Sequence, residues 1–146
     1  MTAPAVHHRI LIVGGGSAGI DVAARLRRAK VPDIGLIDPA ETHCYQPLWT
    51  LVGGGCARAK ESARPQASVM PKGVAWIKDA AHTIDPEQQT VTTAGGVRVR
   101  YDHLVVCPGI QLDWGKIPGM AAAMDTPLVS SNYTYATAPK TWELIR

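Results

Sequence analysis

Four apolar residues, Ile10-Leu11-Ile12-Val13, run without interruption into Gly14-Gly15-Gly16-Ser17-Ala18-Gly19. A short continuous apolar run of this kind predicts a buried parallel strand. From about Ser17 to Ala29 the period changes. Ile20, Ala23, Ala24 and Arg27 share one helical face, and its small residues suit close packing on a sheet. Pro32 blocks extension of that helix, and Val31-Pro32-Asp33 turns into a second apolar run, Ile34-Gly35-Leu36-Ile37, closed by Asp38. Pro39, Pro47, Gly53-Gly54-Gly55 and Pro65 then punctuate a stretch in which regular structure should be short. Inside it, Tyr45-Gln46-Pro47-Leu48-Trp49 has two readings: a rigid, partly buried wall, or a loop plugging its own small core.

From Gly73 the pattern becomes one of short strands. Val74-Ala75-Trp76-Ile77 leads through Ala80 to Ile84, and Asp85-Pro86 begins a turn. Thr90-Val91-Thr92 and Val97-Arg98-Val99 alternate around Ala94-Gly95-Gly96, a hairpin signal. These segments predict a three-stranded antiparallel meander. Leu104-Val105-Val106 reads as a further buried parallel strand ending at Cys107-Pro108-Gly109, and Thr141-Trp142-Glu143-Leu144-Ile145-Arg146 as the beginning of a helix. A chain that stops inside such a helix, without a closing cap, is expected to be a fragment of a longer protein.

The glycines give this order a chemistry. Gly14, Gly16 and Gly19 fit G-x-G-x-x-G between a strand and a helix. The first permits a tight turn, the second a close approach of backbone to a pyrophosphate, and the third close packing of helix on strand. The helix N-terminus adds free N–H groups and the positive end of a dipole. Asp38 lies nineteen residues beyond Gly19, where a carboxylate accepts hydrogen bonds from ribose hydroxyls and repels a 2′-phosphate, disfavouring NADP. The expected fold class is therefore α/β: a Rossmann-like nucleotide-binding domain with a parallel sheet and the inserted meander.

Composition narrows the partners. A length of 146 residues is that of one domain, and 46% hydrophobic content is ordinary for a globular protein. The net charge of +3 comes from scattered basic residues, which reads as solvated faces rather than a nucleic-acid stripe. Three cysteines, Cys44, Cys56 and Cys107, make no C-x-x-C pair, so a reducing compartment is expected. The five histidines show no metal-ligand spacing. Neither a signal peptide nor a membrane-spanning run is recognisable in the chain.

Together these features resemble the FAD domain of the two-dinucleotide-domain flavoprotein disulfide reductases. Within them the match is to the sulfide:quinone oxidoreductases of the mitochondrial-like type. It is carried by the glycine motif, by the restrictive run from His43 through Tyr45-Gln46-Pro47-Leu48-Trp49-Thr50-Leu51-Val52 to Gly53, and by Arg64-Pro65-Gln66-Ala67-Ser68-Val69. Gly73-Val74-Ala75-Trp76-Ile77-Lys78, Gly109-Ile110-Gln111-Leu112-Asp113 and Ser131-Asn132-Tyr133 carry the rest. The resemblance implies that Gly14, Gly16, Ser17, Ala18 and Gly19 hold the FAD pyrophosphate and that Asp38 binds the adenosine ribose. It implies that Gln46 lies against FAD with Pro47 shaping that wall, that the backbone at Ala81 meets the adenine, and that Gly109 closes the strand beneath the cofactor.

The implied activity is oxidation of sulfide with two electrons passed through FAD to a quinone. Sulfide and quinone are then the partners, without nucleic acid and with no metal. Docking would be peripheral, at a bacterial or mitochondrial inner membrane or else in the cytoplasm, through a part beyond this chain. The family's redox cysteines lie downstream of the segment matching Ser131-Asn132-Tyr133, and none of the three present matches them, so no catalytic residue is assigned here. For Cys107, a small buried residue ending a strand is the plainer reading. The expected organisation is a disordered terminus over 1–8, an incomplete FAD-binding domain over 9–130, and over 131–146 a connection and helix start leading into a missing second domain. Two other readings stand beside this one: a fragment of an NADH:quinone oxidoreductase-type flavoprotein, needing a second glycine motif downstream, and a non-catalytic nucleotide-binding remnant.

Overall fold

A computed structural model describes residues 6–146 of the chain. Its elements in order are β1 (Val6–Val13), α1 (Ser17–Arg28), β2 (Ile34–Ile37), β3 (Thr42–Cys44), α2 (Trp49–Gly53), β4 (Ala63–Pro65), α3 (Gln66–Val69), β5 (Val74–Ile77), β6 (Ala81–Asp85), β7 (Thr90–Thr93), β8 (Arg98–Val106), α4 (Met120–Met124) and α5 (Ala138–Ile145). Two compact units result, one of residues 6–43 and 65–109, the other of residues 44–64 and 110–146. Strands β3 and β4 form a separate two-stranded sheet.

The first unit is built on a six-stranded sheet of order β5-β2-β1-β8-β7-β6. The strands β5, β2, β1 and β8 run parallel, while β7 and β6 add on antiparallel to β8. Alternation along β1 and β2 makes two cores. Leu11, Val13 and Ile37 pack with Val91, Val99 and Tyr101 on one face. Ile12, Ile34 and Leu36 pack with Ala23 of α1 on the other, flanked by Ile20 and Leu26. Both faces of β1 and β2 are thus covered, which is why these strands read as unbroken apolar runs.

The α/β class and the mostly parallel sheet are as expected, but the meander differs in detail. Val74–Ile77 is not its first strand: it pairs parallel with β2, Ile34 opposite Val74 and Ile37 opposite Ile77. Val74 and Trp76 pack against the α1-side core, and that burial decides the pairing. Nor is the meander separate from the parallel strand that follows. Nothing between Val99 and Leu104 breaks a strand, so Arg98–Val106 is one nine-residue element, antiparallel to β7 near its start and parallel to β1 along its length. Its end is less buried than expected, since Leu104 and Val105 are half-buried and Val106 is 52% exposed.

Strand β1 begins at Val6, inside the stretch expected to be disordered. His8 is buried there, and its Nδ1 lies 2.7 Å from Asp33 Oδ1. Residues 1–5 lie outside the described residues. The helix stops at Arg28, one residue short of the expected end, and the turn beyond it uses positive φ at Lys30 and Asp33.

The second unit is small. Trp49, Val52 and Ala138 form its buried core, with Cys44, Ala57 and Ala59 packed against them. The Trp49 indole N–H donates to Ser62 Oγ at 3.0 Å, and Ser62 Oγ donates in turn to Ala59 O at 2.7 Å. Of the two readings of the Tyr45–Trp49 run, the plugged local core describes Trp49, whereas Tyr45, Gln46 and Pro47 are exposed rather than partly buried. The last helix starts at Ala138, earlier than Thr141, because Pro139 sits in its first turn where no N–H is required.

Candidate functional site

The chain turns sharply between Val13 and Ser17. Gly14 has φ +100°, and a Cβ there would fall 2.0 Å from the carbonyl oxygen of Cys107, so the first turn position admits glycine alone. A Cβ on Gly19 would fall 1.8 Å from Gly14 O, so the first turn of α1 rests directly on the strand end. The Gly14 amide donates to Ile37 O at 2.9 Å and the Cys107 amide to Val13 O at 2.7 Å, tying the ends of β2, β1 and β8 together under the turn. In the sheet order, β2 and β5 lie to one side of β1 and β8 to the other. The glycine turn thus sits at the carboxyl ends of the strands where the direction of winding reverses, the usual ligand crevice of such sheets.

Gly16 is the N-cap of α1, with no side-chain cap and no acidic residue in the first turn. A Cβ there would meet nothing within 4 Å. Ser17 and Ala18 are exposed. The result is an open helix N-terminus with unpartnered first-turn N–H groups, a positive dipole end and free space in front of it, which fits a diphosphate.

Asp38 faces this turn. Its carboxylate accepts from the Gly15 amide through Oδ2 and from the Ala40 amide through Oδ1 at 2.7 Å. Its backbone is fixed as well: the Asp38 amide donates to Ile77 O at 3.1 Å, and the Trp76 indole donates to Asp38 O at 2.9 Å. Each carboxylate oxygen keeps a lone pair free to accept from a sugar hydroxyl.

Two residues that hold this arrangement carry no sequence signal of their role. Gln66 is 1% exposed, and its Nε2 donates to Gly15 O at 2.8 Å. Its own amide donates to Glu41 O at 2.7 Å. Gly15, the glycine outside the three-point spacing, is therefore clasped on both sides, by Asp38 at its N–H and by Gln66 at its carbonyl. A buried glutamine in a segment without periodicity is invisible to pattern reading, although Arg64–Val69 does contribute to the family resemblance.

The other expected site residues fall as follows. Ala81 begins β6 opposite Thr93 and packs against the core that contains Val13 and Ile37. The turn leading to it is fixed by Asp79, whose carboxylate accepts from the amides of Ala80 at 2.8 Å and Gly95 at 2.9 Å. Hydrogen bonds from the Thr93 side chain and the Gly95 amide hold that carboxyl below its ordinary pKa. Gly109 follows β8 with φ +78° and open space around it. Gln46 and Pro47 belong to the second unit, in a single exposed helical turn, Gln46–Leu48, and line a cleft of about 400 Å³ there with Thr50, Asn132 and Tyr133.

The cysteines are free. Cys56 is exposed, and Cys44 is half-buried with its thiol pushed up by that burial. Cys107 serves the glycine turn through its backbone. Among the described residues no group of three metal-ligating side chains comes together, and no helix is long and apolar enough to cross a membrane.

The chain is 38% identical to the mitochondrial sulfide:quinone oxidoreductase of Mus musculus, over 96% of its own length and 31% of that protein. To the mitochondrial sulfide:quinone oxidoreductase of Dictyostelium discoideum it is 41% identical, over 94% of its length and 31% of that protein. The structure superposes on the sulfide:quinone oxidoreductase of the hyperthermophilic bacterium Aquifex aeolicus with a TM-score of 0.77 and 29% identity, covering 97% of this chain and 32% of that one. The chain thus spans about a third of the length of the curated relatives it matches. The model of the pyridine nucleotide-disulphide oxidoreductases matches residues 8–141, and this chain belongs to that family.

Proposed function

We propose that this chain is the FAD-binding portion of a flavoprotein that oxidises sulfide and passes the electrons to a quinone. The observation that carries the reading is the clasp on the glycine turn. Asp38 and Gln66 hold Gly15 while the N-terminus of α1 and the space before Gly16 stay open. The first-turn N–H groups at Ser17, Ala18 and Gly19 would bind the diphosphate, Asp38 would accept from the adenosine ribose, and the backbone at Ala81 would meet the adenine. Gln46 would lie against FAD with Pro47 shaping that wall, and Gly109 would close the strand beneath the cofactor. The nucleotide domain in this reading covers residues 9–130. FAD bound there would supply a carrier of two electrons.

None of the free cysteines forms a dithiol pair. The reading therefore assigns the disulfide that sulfide attacks, the quinone contacts and the peripheral attachment to a bacterial or mitochondrial inner membrane to parts of the whole protein outside this chain. Titration of the purified chain with FAD and with ADP tests the reading. Saturable binding of both is expected, with weaker binding of ADP phosphorylated at the 2′ position, whose charge Asp38 repels. Failure to bind either nucleotide would refute it. For the whole protein, sulfide-dependent reduction of a quinone analogue is expected.

A further inference from the structure

The peptide that joins Gly15 to Gly16 is held at one edge and open at the other. Its carbonyl oxygen has two lone pairs, and two side chains fill them. Gln66 Nε2 donates to Gly15 O at 2.8 Å, and His43 Nδ1 lies 3.3 Å from the same oxygen. A carbonyl only accepts, so the proton of this second contact sits on His43 Nδ1, and the neutral ring leaves Nε2 unprotonated. The opposite edge carries the Gly16 amide. Among the described residues that amide donates to no group, although the Gly16 carbonyl already accepts from the Ile20 amide at 3.0 Å.

Planarity couples the two edges. In a trans peptide the N–H points away from the C=O, so whatever fixes Gly15 O also fixes the direction of the Gly16 N–H. A single donor would let the peptide swivel about one contact, and the second removes that freedom. Gln66 is buried and anchored in its turn, its own amide donating to Glu41 O at 2.7 Å. His43 lies two residues beyond Glu41, on β3, and is half-buried. The Gly16 N–H is thus turned away from both side chains, and the space about Gly16 is open, since a Cβ there would meet nothing within 4 Å. Donation into the carbonyl also polarises the peptide and makes its N–H the better donor. All of these residues belong to the first unit.

We infer that His43 is a positioning residue for the diphosphate: by donating to Gly15 O beside Gln66, it sets the Gly15–Gly16 peptide so that the Gly16 amide is presented to a phosphate oxygen. His43 acts through Gly15 and does not itself contact the nucleotide. This rests on the FAD reading above and gives a part to a residue that the reading leaves without one.

The test compares His43→Phe, which keeps a flat ring and removes the donor, with His43→Asn, whose Nδ2 takes the place of the imidazole Nδ1. Affinities for ADP and for adenosine are read by calorimetry, because adenosine has the same base and ribose but no phosphate. The expected result is about fivefold weaker ADP binding in His43→Phe, one neutral hydrogen bond's worth, with unchanged adenosine affinity. In His43→Asn the ADP affinity should return to within about twofold of the parent's. Unchanged ADP affinity in His43→Phe would overturn the inference and leave the FAD reading standing. So would equal losses of ADP and adenosine, which make His43 a residue of the fold alone, or an asparagine variant as weak as the phenylalanine one. Nitrogen NMR of the histidine rings in the unaltered chain needs no variant. It should find neutral His43 protonated at Nδ1, and a proton on Nε2 instead would overturn the inference however the variants behave. Binding of neither ADP nor FAD by the unaltered chain refutes the FAD reading itself, and the inference with it.

Discussion

Two adjacent glycines should respond to the same small change in opposite ways. An alanine at position 15 would place its Cβ 2.5 Å from Gln66 Nε2 and 2.9 Å from Asp38 Cβ. Gln66 is 1% exposed and has no solvent to swing into. Overpacking of this kind costs about 1–3 kcal/mol. Displacing Gln66 also breaks its bond to Gly15 O, a further ~1 kcal/mol. A total of about 2–4 kcal/mol lowers the melting temperature by roughly 5–12 °C in a domain of this size. An alanine at position 16 meets nothing within 4 Å and sits at φ −68°. Its smaller unfolded-state entropy and its poorer N-capping nearly offset, leaving stability within about 1 kcal/mol. Its methyl group nevertheless enters the space proposed for the diphosphate, so ADP affinity should fall about tenfold, the loss of one good hydrogen bond. Thermal melts of Gly15→Ala and Gly16→Ala, each paired with an ADP titration, separate the two roles. A Gly15→Ala melt within 2 °C of the parent's, where roughly 5 °C or more is expected, would refute the clasp. So would a Gly16→Ala variant that lost as much stability as Gly15→Ala.

Asp38→Asn retains one acceptor oxygen but sets an N–H₂ against an amide donor of Gly15 or Ala40. A loss of about 1–2 kcal/mol in stability is expected with weaker ADP binding, and unchanged affinity for ADP would remove Asp38 from the site. The Asp33 carboxyl is held below its ordinary pKa, first by the His8 hydrogen bond and then by the Arg9 amide, against a partial rise from burial. His7 Nδ1 lies 4.0 Å from Asp33 Oδ2, and His7 Nε2 lies 2.9 Å from Asp102 Oδ1. A depressed folded pKa means the contribution is present above the unfolded value and is lost as pH falls through the folded one, so melting temperatures should decline most steeply below about pH 4. Asp33→Asn should flatten that acid limb, and an unchanged slope would show that the clamp does not form. Burial raises the Cys44 thiol while Cys56 is exposed, so iodoacetamide at neutral pH should modify Cys56 well before Cys44, as read by peptide mass mapping.

What could be read from the sequence follows the physics of each element. β1, α1 and β2 were legible because burial on both faces of a strand, and on one face of a helix, leaves a periodic record. Gly14 and Gly19 were legible because backbone contacts at 2.0 and 1.8 Å forbid any side chain there. The placement of Val74–Ile77 was not, since a short apolar strand pairs equally well in a meander or beside β2, and only the packing of Val74 and Trp76 on the helix-side core decides. The fusion of the meander's last strand with Leu104–Val106 was hidden for a related reason. Arg100 and Asp102 are exposed on a twisting strand and look like a break between two short ones. Gln66 and Gly15 escaped because they meet through a side-chain amide donating to a backbone carbonyl across the fold, 51 residues apart.

The two units also differ in how firmly each is held, and this bears on the proposed binding. The first buries Leu11, Ile12, Leu36, Val91 and Val99 completely. The second has three buried apolar side chains, and α4 has none. Its remaining restraints are bonds such as Ser130–Thr141 and Lys140 Nζ to Met124 O, while Ile110 is 71% and Leu128 79% exposed. Each fully buried aliphatic side chain contributes about 1.5–3 kcal/mol, so the second unit should open far more often than the first. Amide exchange should then be slowest in β1, β2 and β8 and at least about tenfold faster in α4 and α5. ADP, held by the glycine turn, should slow exchange around residues 14–19, 38 and 81. FAD, which the proposed reading also sets against Gln46 and Pro47, should in addition slow exchange around those residues. Equal protection of α5 and β1 in the free chain would contradict the difference in core. An identical exchange pattern with ADP and with FAD would mean that FAD engages neither Gln46 nor Pro47.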